Sequence, residues 1–176
     1  MSSNSVAELV GDWHRERPDL DIPPLELFVL INRLSDHFIK KAEQWLEPLD
    51  LSWESFSLIV TLRRVGAPYA LRPGELLKVS LLTSGAITNR IDRVEKLGLV
   101  ERHREPNDRR GVVVRLTPAG KKLADRAIAL HFKNMDLLFA DLTKQEVKLA
   151  TGLLSKLLGS FEHPIQFANI PVKKTN

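Results

Sequence analysis

The sequence predicts a mainly α-helical fold carrying one small β-hairpin, and three observations predict it. Apolar residues recur at helical spacing along most of the chain, one stretch near residues 99–116 switches to β-compatible composition, and Pro, Gly, Ser and Thr mark the boundaries between these segments. With 176 residues the chain has room for one domain, and 43% hydrophobic residues suffice to bury a core.

Taken in order, Val6, Leu9, Val10 and Trp13 fall at helical spacing and predict a short N-terminal helix, followed by a connector broken by Pro18, Pro23 and Pro24. From Leu25, the residues Leu27, Ile31, Leu34, Phe38, Ala42 and Trp45 form the stripe of a long amphipathic helix that Pro48 ends. Ser52 is an N-cap for the next helix, which carries Phe56, Ile59, Val60 and Leu62 and stops near Gly66 and Pro68. Pro73 opens a short helix over Glu75 to Val79, with Arg72 a poor cap before it. Thr83 caps a further helix that runs to Leu97 and closes at Gly98, where positive φ is tolerated. Two short helices joined by so tight a turn make a helix-turn-helix.

The period then changes. Leu99 to Glu105 and Gly111 to Leu116 read as two strands, with Pro106, Asn107, Asp108, Arg109 and Arg110 as the hairpin tip. Thr117 and Pro118 are N-cap and first residue of a long helix with Leu123, Ala127, Leu130, Met135 and Leu138 on one stripe. Thr143 and Glu146 form a capping box for a last helix bearing Val147, Ala150, Leu154, Leu157 and Phe161. The architecture expected is a winged helix-turn-helix lobe over 52–118 within a single domain spanning 1–176, flanked by helices over 1–48 and 119–176.

Composition removes several function classes. With no cysteine there is no disulfide, thiolate metal site, cysteine nucleophile or thiol redox sensor. His14, His37, His103, His131 and His163 are dispersed, with no pair at metal-ligand spacing beside a carboxylate, so no metal or other cofactor is expected. No glycine-rich phosphate loop, nucleophile elbow or paired carboxylates support an enzyme. No apolar run is long enough for a bilayer, and the N-terminus lacks a basic segment followed by an apolar one, so a cytoplasmic protein without membrane contact is expected.

The charge is unevenly placed. The chain carries 26 Lys and Arg against 22 Asp and Glu, a net +4, yet residues 78–122 hold 11 basic and 5 acidic residues, a local +6. Such asymmetry points to a polyanion. On the helix ending at Leu97, Ile87, Ile91 and Val94 share one side, leaving Ser84, Thr88, Asn89 and Arg93 on others. These residue types suit a major groove, because Asn pairs bidentately with adenine, Arg with guanine, and hydroxyls reach phosphates. On an isolated helix they would equally make a solvated polar face. The hairpin decides between the two: Arg109 and Arg110 at its tip suit a minor groove, and Asp108 can fix a guanidinium beside them. The partner expected is double-stranded DNA.

The residues 88–102, Thr-Asn-Arg-Ile-Asp-Arg-Val-Glu-Lys-Leu-Gly-Leu-Val-Glu-Arg, followed by Asp108-Arg109-Arg110 and Leu116-Thr117-Pro118-Ala119-Gly120, resemble the MarR family of winged-helix transcriptional regulators over about 25–161. The resemblance implies a homodimer joined through the N- and C-terminal helices, one DNA-binding lobe per subunit, and a small anionic aromatic or carboxylate effector that releases a repressor from its operator. In the family's pattern Asp108 and Arg110 match the wing positions, and Arg109 is an additional charge. Leu82-Thr83-Ser84-Gly85-Ala86 and Trp13 on an extra N-terminal helix are similar to a branch with urate-responsive members, which implies Trp13, Arg90 and Arg102 as ligand residues. The aspartate of that set is replaced by Ser57, so the resemblance carries over a pocket for some small anion rather than urate itself.

From the residues alone, Arg90 faces the lobe interior and needs a partner, either a ligand carboxylate or a structural acidic side chain. Trp13 on an appended helix either packs or binds ligand. A rival reading keeps the winged-helix scaffold as a helical protein-interaction module without specific DNA binding.

Overall fold

The computed structural model describes residues 4–20, 22, 24–79, 87–105 and 108–161, and of residues 4, 5, 105 and 108–110 the backbone alone. The elements, in order, are α1 (Asn4–Glu16), α2 (Pro24–Leu46), a 3₁₀ turn (Glu47–Leu49), α3 (Trp53–Arg64), β1 (Ala70–Leu71), α4 (Pro73–Val79), α5 (Ile87–Lys96), β2 (Val100–Glu105), β3 (Asp108–Leu116), α6 (Pro118–Leu138) and α7 (Lys144–Ser160). The chain divides into two compact units, Met1–Phe132 and Lys133–Asn176.

Local chemistry sets most of these boundaries. The Ser52 side chain accepts from the Ser55 amide at the start of α3, and Thr143 with Glu146 completes a capping box at the start of α7. Gly98 ends the α5 segment at φ +70°. At α4 the cap is made in reverse: Arg72 offers no side-chain acceptor, and Glu75 Oε2 instead accepts from the Arg72 amide at 2.8 Å. That helix begins at Pro73, the residue expected in its first turn. The expected cap at Thr83 lies outside the described residues.

In the first unit the core joins α2, α3, α4, α5, the sheet and the start of α6. Leu46, Leu58, Ile59, Leu62, Leu76, Val94 and Val114 are fully buried, with Ala124 and Ala127 of α6 packed against them. The sheet has three antiparallel strands in the order β1-β3-β2, so β3 is central. β1 was not expected; Ala70 and Leu71 pair with Arg115 and Val114, and the Leu116 amide donates to the Tyr69 carbonyl at 3.1 Å.

The hairpin departs from expectation at its tip. Asp108, Arg109 and Arg110 belong to β3, because pairing continues past the predicted strand end until Asp108 faces Glu105, after a register irregularity between Arg104 and Glu105. Pro106 and Asn107, the rest of the expected tip, lie outside the described residues.

The run Leu116-Thr117-Pro118-Ala119-Gly120 has a physical cause. Thr117 Oγ1 accepts from the Gly120 amide at 2.9 Å, capping α6, and donates to the Gly98 carbonyl at 2.7 Å, tying that helix to the end of α5. A Cβ on Gly120 would stand 1.9 Å from the Leu99 carbonyl oxygen, so this close approach of helix to backbone requires glycine.

The second unit contrasts with this. α7 contributes no buried residue, and Leu149, Leu153, Leu154, Leu158 and Phe161 are exposed. Exposed apolar residues also mark α1 and α2, including Trp13, Leu27, Phe28 and Leu34. Among the described residues no helix is long and apolar enough to cross a membrane.

Candidate functional site

α5 is anchored along one side and free along the other. Ile91 and Val94 are buried and Ile87 packs against the core, and α3, α4 and β2 contact the helix. Because residues three and four apart share a helix face, this anchoring turns Thr88, Asn89 and Arg93 outward, and all three are exposed. Ser84 lies outside the described residues.

A second anchor is ionic. From β2, the Arg102 guanidinium donates to Asp92 and to Glu95 on α5, and the Arg102 amide donates to Glu95 Oε1 at 3.1 Å. The hydrogen bond to Asp92 raises the Arg102 pKa above its ordinary value, against the desolvation of a side chain about a third exposed. The fork thus clips α5 to the wing, a geometry to which a planar, five-donor group is suited. The wing backbone places Asp108, Arg109 and Arg110 consecutively on β3, at the end remote from the core.

Arg90 faces the opposite problem. It is partly buried, and its Nη1 has no hydrogen-bond partner among the described residues. A buried donor in that condition is costly unless something supplies an acceptor.

A cavity of about 370 Å³ opens between α3 and α6. Its lining includes Trp53, Phe56, Ser57 and Arg64 from α3, Val79 from α4, and Ile128 and His131 from α6. Its volume is in the range of small-molecule sites, roughly 300–1,000 Å³. The His131 ring lies 4.8 Å from Phe56 and within 5.9 Å of Trp45, Trp53 and Phe132, and the Trp45 indole N–H donates to His131 Nδ1 at 3.2 Å. Burial lowers the His131 pKa, so the ring is held neutral and its Nδ1 free to accept. At the cavity wall Arg64 Nη2 donates to the Val79 carbonyl at 2.7 Å.

Of the four candidate ligand residues, Ser57 lines this cavity, whereas Trp13, Arg90 and Arg102 are not among the lining residues. Trp13 is 48% exposed on α1. Sequence reasoning missed Trp53, Arg64 and His131 as site residues; the aromatic pair at i, i+3 on α3 was the available signal, and its meeting with α6 is tertiary. Among the described residues no group of three or more His, Asp or Glu is placed to hold a metal ion.

Residues 51–112 match the model of the MarR family. The HTH-type transcriptional regulator PecS of Dickeya dadantii is 30% identical, over 86% of this chain and 92% of its own length. The structure of the C80S mutant of Escherichia coli MarR complexed with operator DNA superposes with TM-score 0.69 at 30% identity, covering 83% of this chain and 97% of that one. A structure of Bordetella bronchiseptica BpsR, described as showing how its DNA binding is regulated by 6-hydroxynicotinic acid, shares the fold at TM-score 0.70 and 22% identity, covering 79% of this chain and 97% of that one.

Proposed function

The chain belongs to the MarR family of DNA-binding transcriptional regulators, which are not enzymes, and from that premise we propose that it acts as a homodimeric repressor released from a pseudo-palindromic operator by a small anionic ligand. The observation that carries the DNA-facing part is the outward face of α5, where Thr88, Asn89 and Arg93 are exposed beside a wing whose strand begins Asp108-Arg109-Arg110. Thr88, Asn89, Arg93 and Ser84 meet bases and phosphates in the major groove, and Arg110, held by Asp108 and joined by Arg109, reaches the minor groove. Two such lobes related by a dyad read half-sites about one helical turn apart, roughly 34 Å.

The dimer reading is supported by apolar surface that α1, α2 and α7 leave exposed, at Trp13, Phe28, Leu34, Leu149, Leu153 and Leu158. In the proposed division, 1–48 and 119–176 are the dimerisation segments and 52–118 the DNA-binding lobe. The effector reading is supported by the α3–α6 cavity, aromatic on its walls with Arg64 and Ser57 as polar groups, which suits a flat aromatic carboxylate. The fold relative BpsR is regulated by a molecule of that class. Arg90 stays a second anion-binding candidate through its unpartnered Nη1, and Trp13 and Arg102 complete the set implied by the family branch, with Arg102 already engaged by Asp92 and Glu95.

Arg110→Ala tests the wing. It weakens operator binding and reduces the slope of log affinity against log salt by about 1 for each phosphate the wing ceases to neutralise. An unchanged slope removes the wing from the interface.

A further inference from the structure

We infer that His131 is a specificity-determining residue of the α3–α6 cavity: held by Trp45 in one tautomer, it presents its Nε2–H to an oxygen acceptor on a flat aromatic ligand. The inference rests on the reading of that cavity as the effector site.

The tautomer follows from the partner. An indole has one donor and no acceptor, so the 3.2 Å hydrogen bond from the Trp45 N–H requires a bare Nδ1 on His131. A neutral imidazole with a bare Nδ1 carries its proton on Nε2. The doubly protonated ring is disfavoured by burial, and it would set two N–H groups against each other. Neither can the ring turn over freely. Phe56 at 4.8 Å, Trp45 at 5.6 Å, and Trp53 and Phe132 at 5.9 Å between ring centroids surround it, and a half-turn about χ2 would face the indole N–H with a carbon-bound hydrogen.

What the ring has left to offer is a donor. His131 lines the cavity and Trp45 is not among the lining residues, so Nδ1 is engaged outside the lining. Among the described residues none is bonded to Nε2. The nearby Thr61 hydroxyl is already committed, donating to the Ser57 carbonyl at 2.7 Å. With Trp53, Phe56, Ile128 and Phe132 as apolar neighbours on the lining, an N–H gains most from an acceptor that a ligand brings. Because this donor is neutral, it selects for an oxygen acceptor whether or not the oxygen is charged. That requirement is separate from the negative charge favoured by Arg64. Trp45 is then a positioning residue, acting on the ligand only through the tautomer it imposes.

Nuclear magnetic resonance of the intact protein, with histidine ring nitrogens labelled, tests this with three probes of similar shape: benzoate, benzamide and toluene. In the ligand-free wild type the His131 shifts are those of a protonated Nε2 and a bare Nδ1, and in Trp45→Phe they move toward a mixture of tautomers. Benzoate and benzamide shift the Trp53 indole and Ile128 methyl signals and displace Nε2 and its proton, while toluene shifts the indole and methyl signals alone. His131→Phe weakens benzoate and benzamide about threefold to tenfold and leaves toluene unchanged, and His131→Gln, which carries an amide donor, restores part of the loss. A ligand-free wild type with its proton on Nδ1, or with both tautomers equally populated, overturns the inference regardless of ligand. So does benzoate binding that leaves Nε2 unmoved, or a His131→Phe variant that binds all three probes as the wild type does. If none of the probes moves the Trp53 and Ile128 signals, the cavity reading fails and the ligand contact falls with it, whereas the ligand-free shifts still decide whether Trp45 fixes the tautomer.

Discussion

α3 and α7 are helices of similar apolar content, and they treat their apolar residues in opposite ways. On α3, Leu58, Ile59 and Leu62 are fully buried against α2, α4, α5 and the sheet. On α7, Leu149, Leu153 and Leu158 are between 61% and 70% exposed, and no residue of the helix is buried. The difference teaches that helical periodicity reports an apolar face but says nothing about who covers it. α3 finds its cover within its own unit; in the proposed dimer, a second copy provides the cover for α7.

The comparison breaks most visibly at α7. Leu154→Asp together with Leu158→Asp places two charges on the face proposed to join subunits and weakens the dimer at least about 100-fold, because buried hot-spot side chains contribute about 2 kcal/mol or more each. Sedimentation equilibrium should find monomer at micromolar concentration with helical content kept. A dimer of wild-type affinity would place the interface elsewhere.

Leu62→Ala sharpens the other side. Its side chain is fully buried, so truncation costs about 2–5 kcal/mol in denaturant unfolding, through the transfer energy of the removed methyls and the cavity left behind. The assembled mass should not change. A cost near zero would mean the lobe core is loose.

The smallest effect is electrostatic. The His131 pKa is lowered by burial, so the unfolded chain takes up a proton before the folded one does. Stability is therefore complete above the unfolded value of about 6.5 and declines as pH falls below it. Protonation at Nδ1 also ends its hydrogen bond from Trp45. Between pH 7.5 and pH 5 the melting temperature of the wild type should fall further than that of His131→Phe; equal falls would remove His131 as a cause.

What could be read from the sequence was local. As caps, Ser52, Gly98, Thr117 and Thr143 act within a few residues of themselves, and each occupies the boundary expected of it, whereas the bond from Thr117 to the Gly98 carbonyl is tertiary. The spacing of Ile87, Ile91 and Val94 likewise foretold which face of α5 is presented. β1 was illegible, because two residues acquire strand character only by pairing with β3 far along the chain. The tip residues were misjudged for a related reason: Pro106 and Asn107 signal a turn, but how far pairing continues beyond it is settled between strands. The cavity was hidden too, since Trp53 and Phe56 meet Ile128 and His131 only once α3 and α6 are packed. Arg102 shows the same limit. Its charge is legible, while its engagement by Asp92 and Glu95 depends on how β2 returns along α5.

Specific DNA reading by α5 is tested most directly by equilibrium binding of the full-length protein to a duplex selected from a random pool, against a scrambled duplex of equal length and at one stated salt concentration. Specific binding should be tighter than nonspecific by about 10³ or more, with Asn89→Ala and Arg93→Ala each lowering that ratio by about 5-fold to 150-fold, the equivalent of about 1–3 kcal/mol, through removal of hydrogen bonds to bases. A ratio near one for the wild type, or a ratio that neither substitution alters, would contradict it.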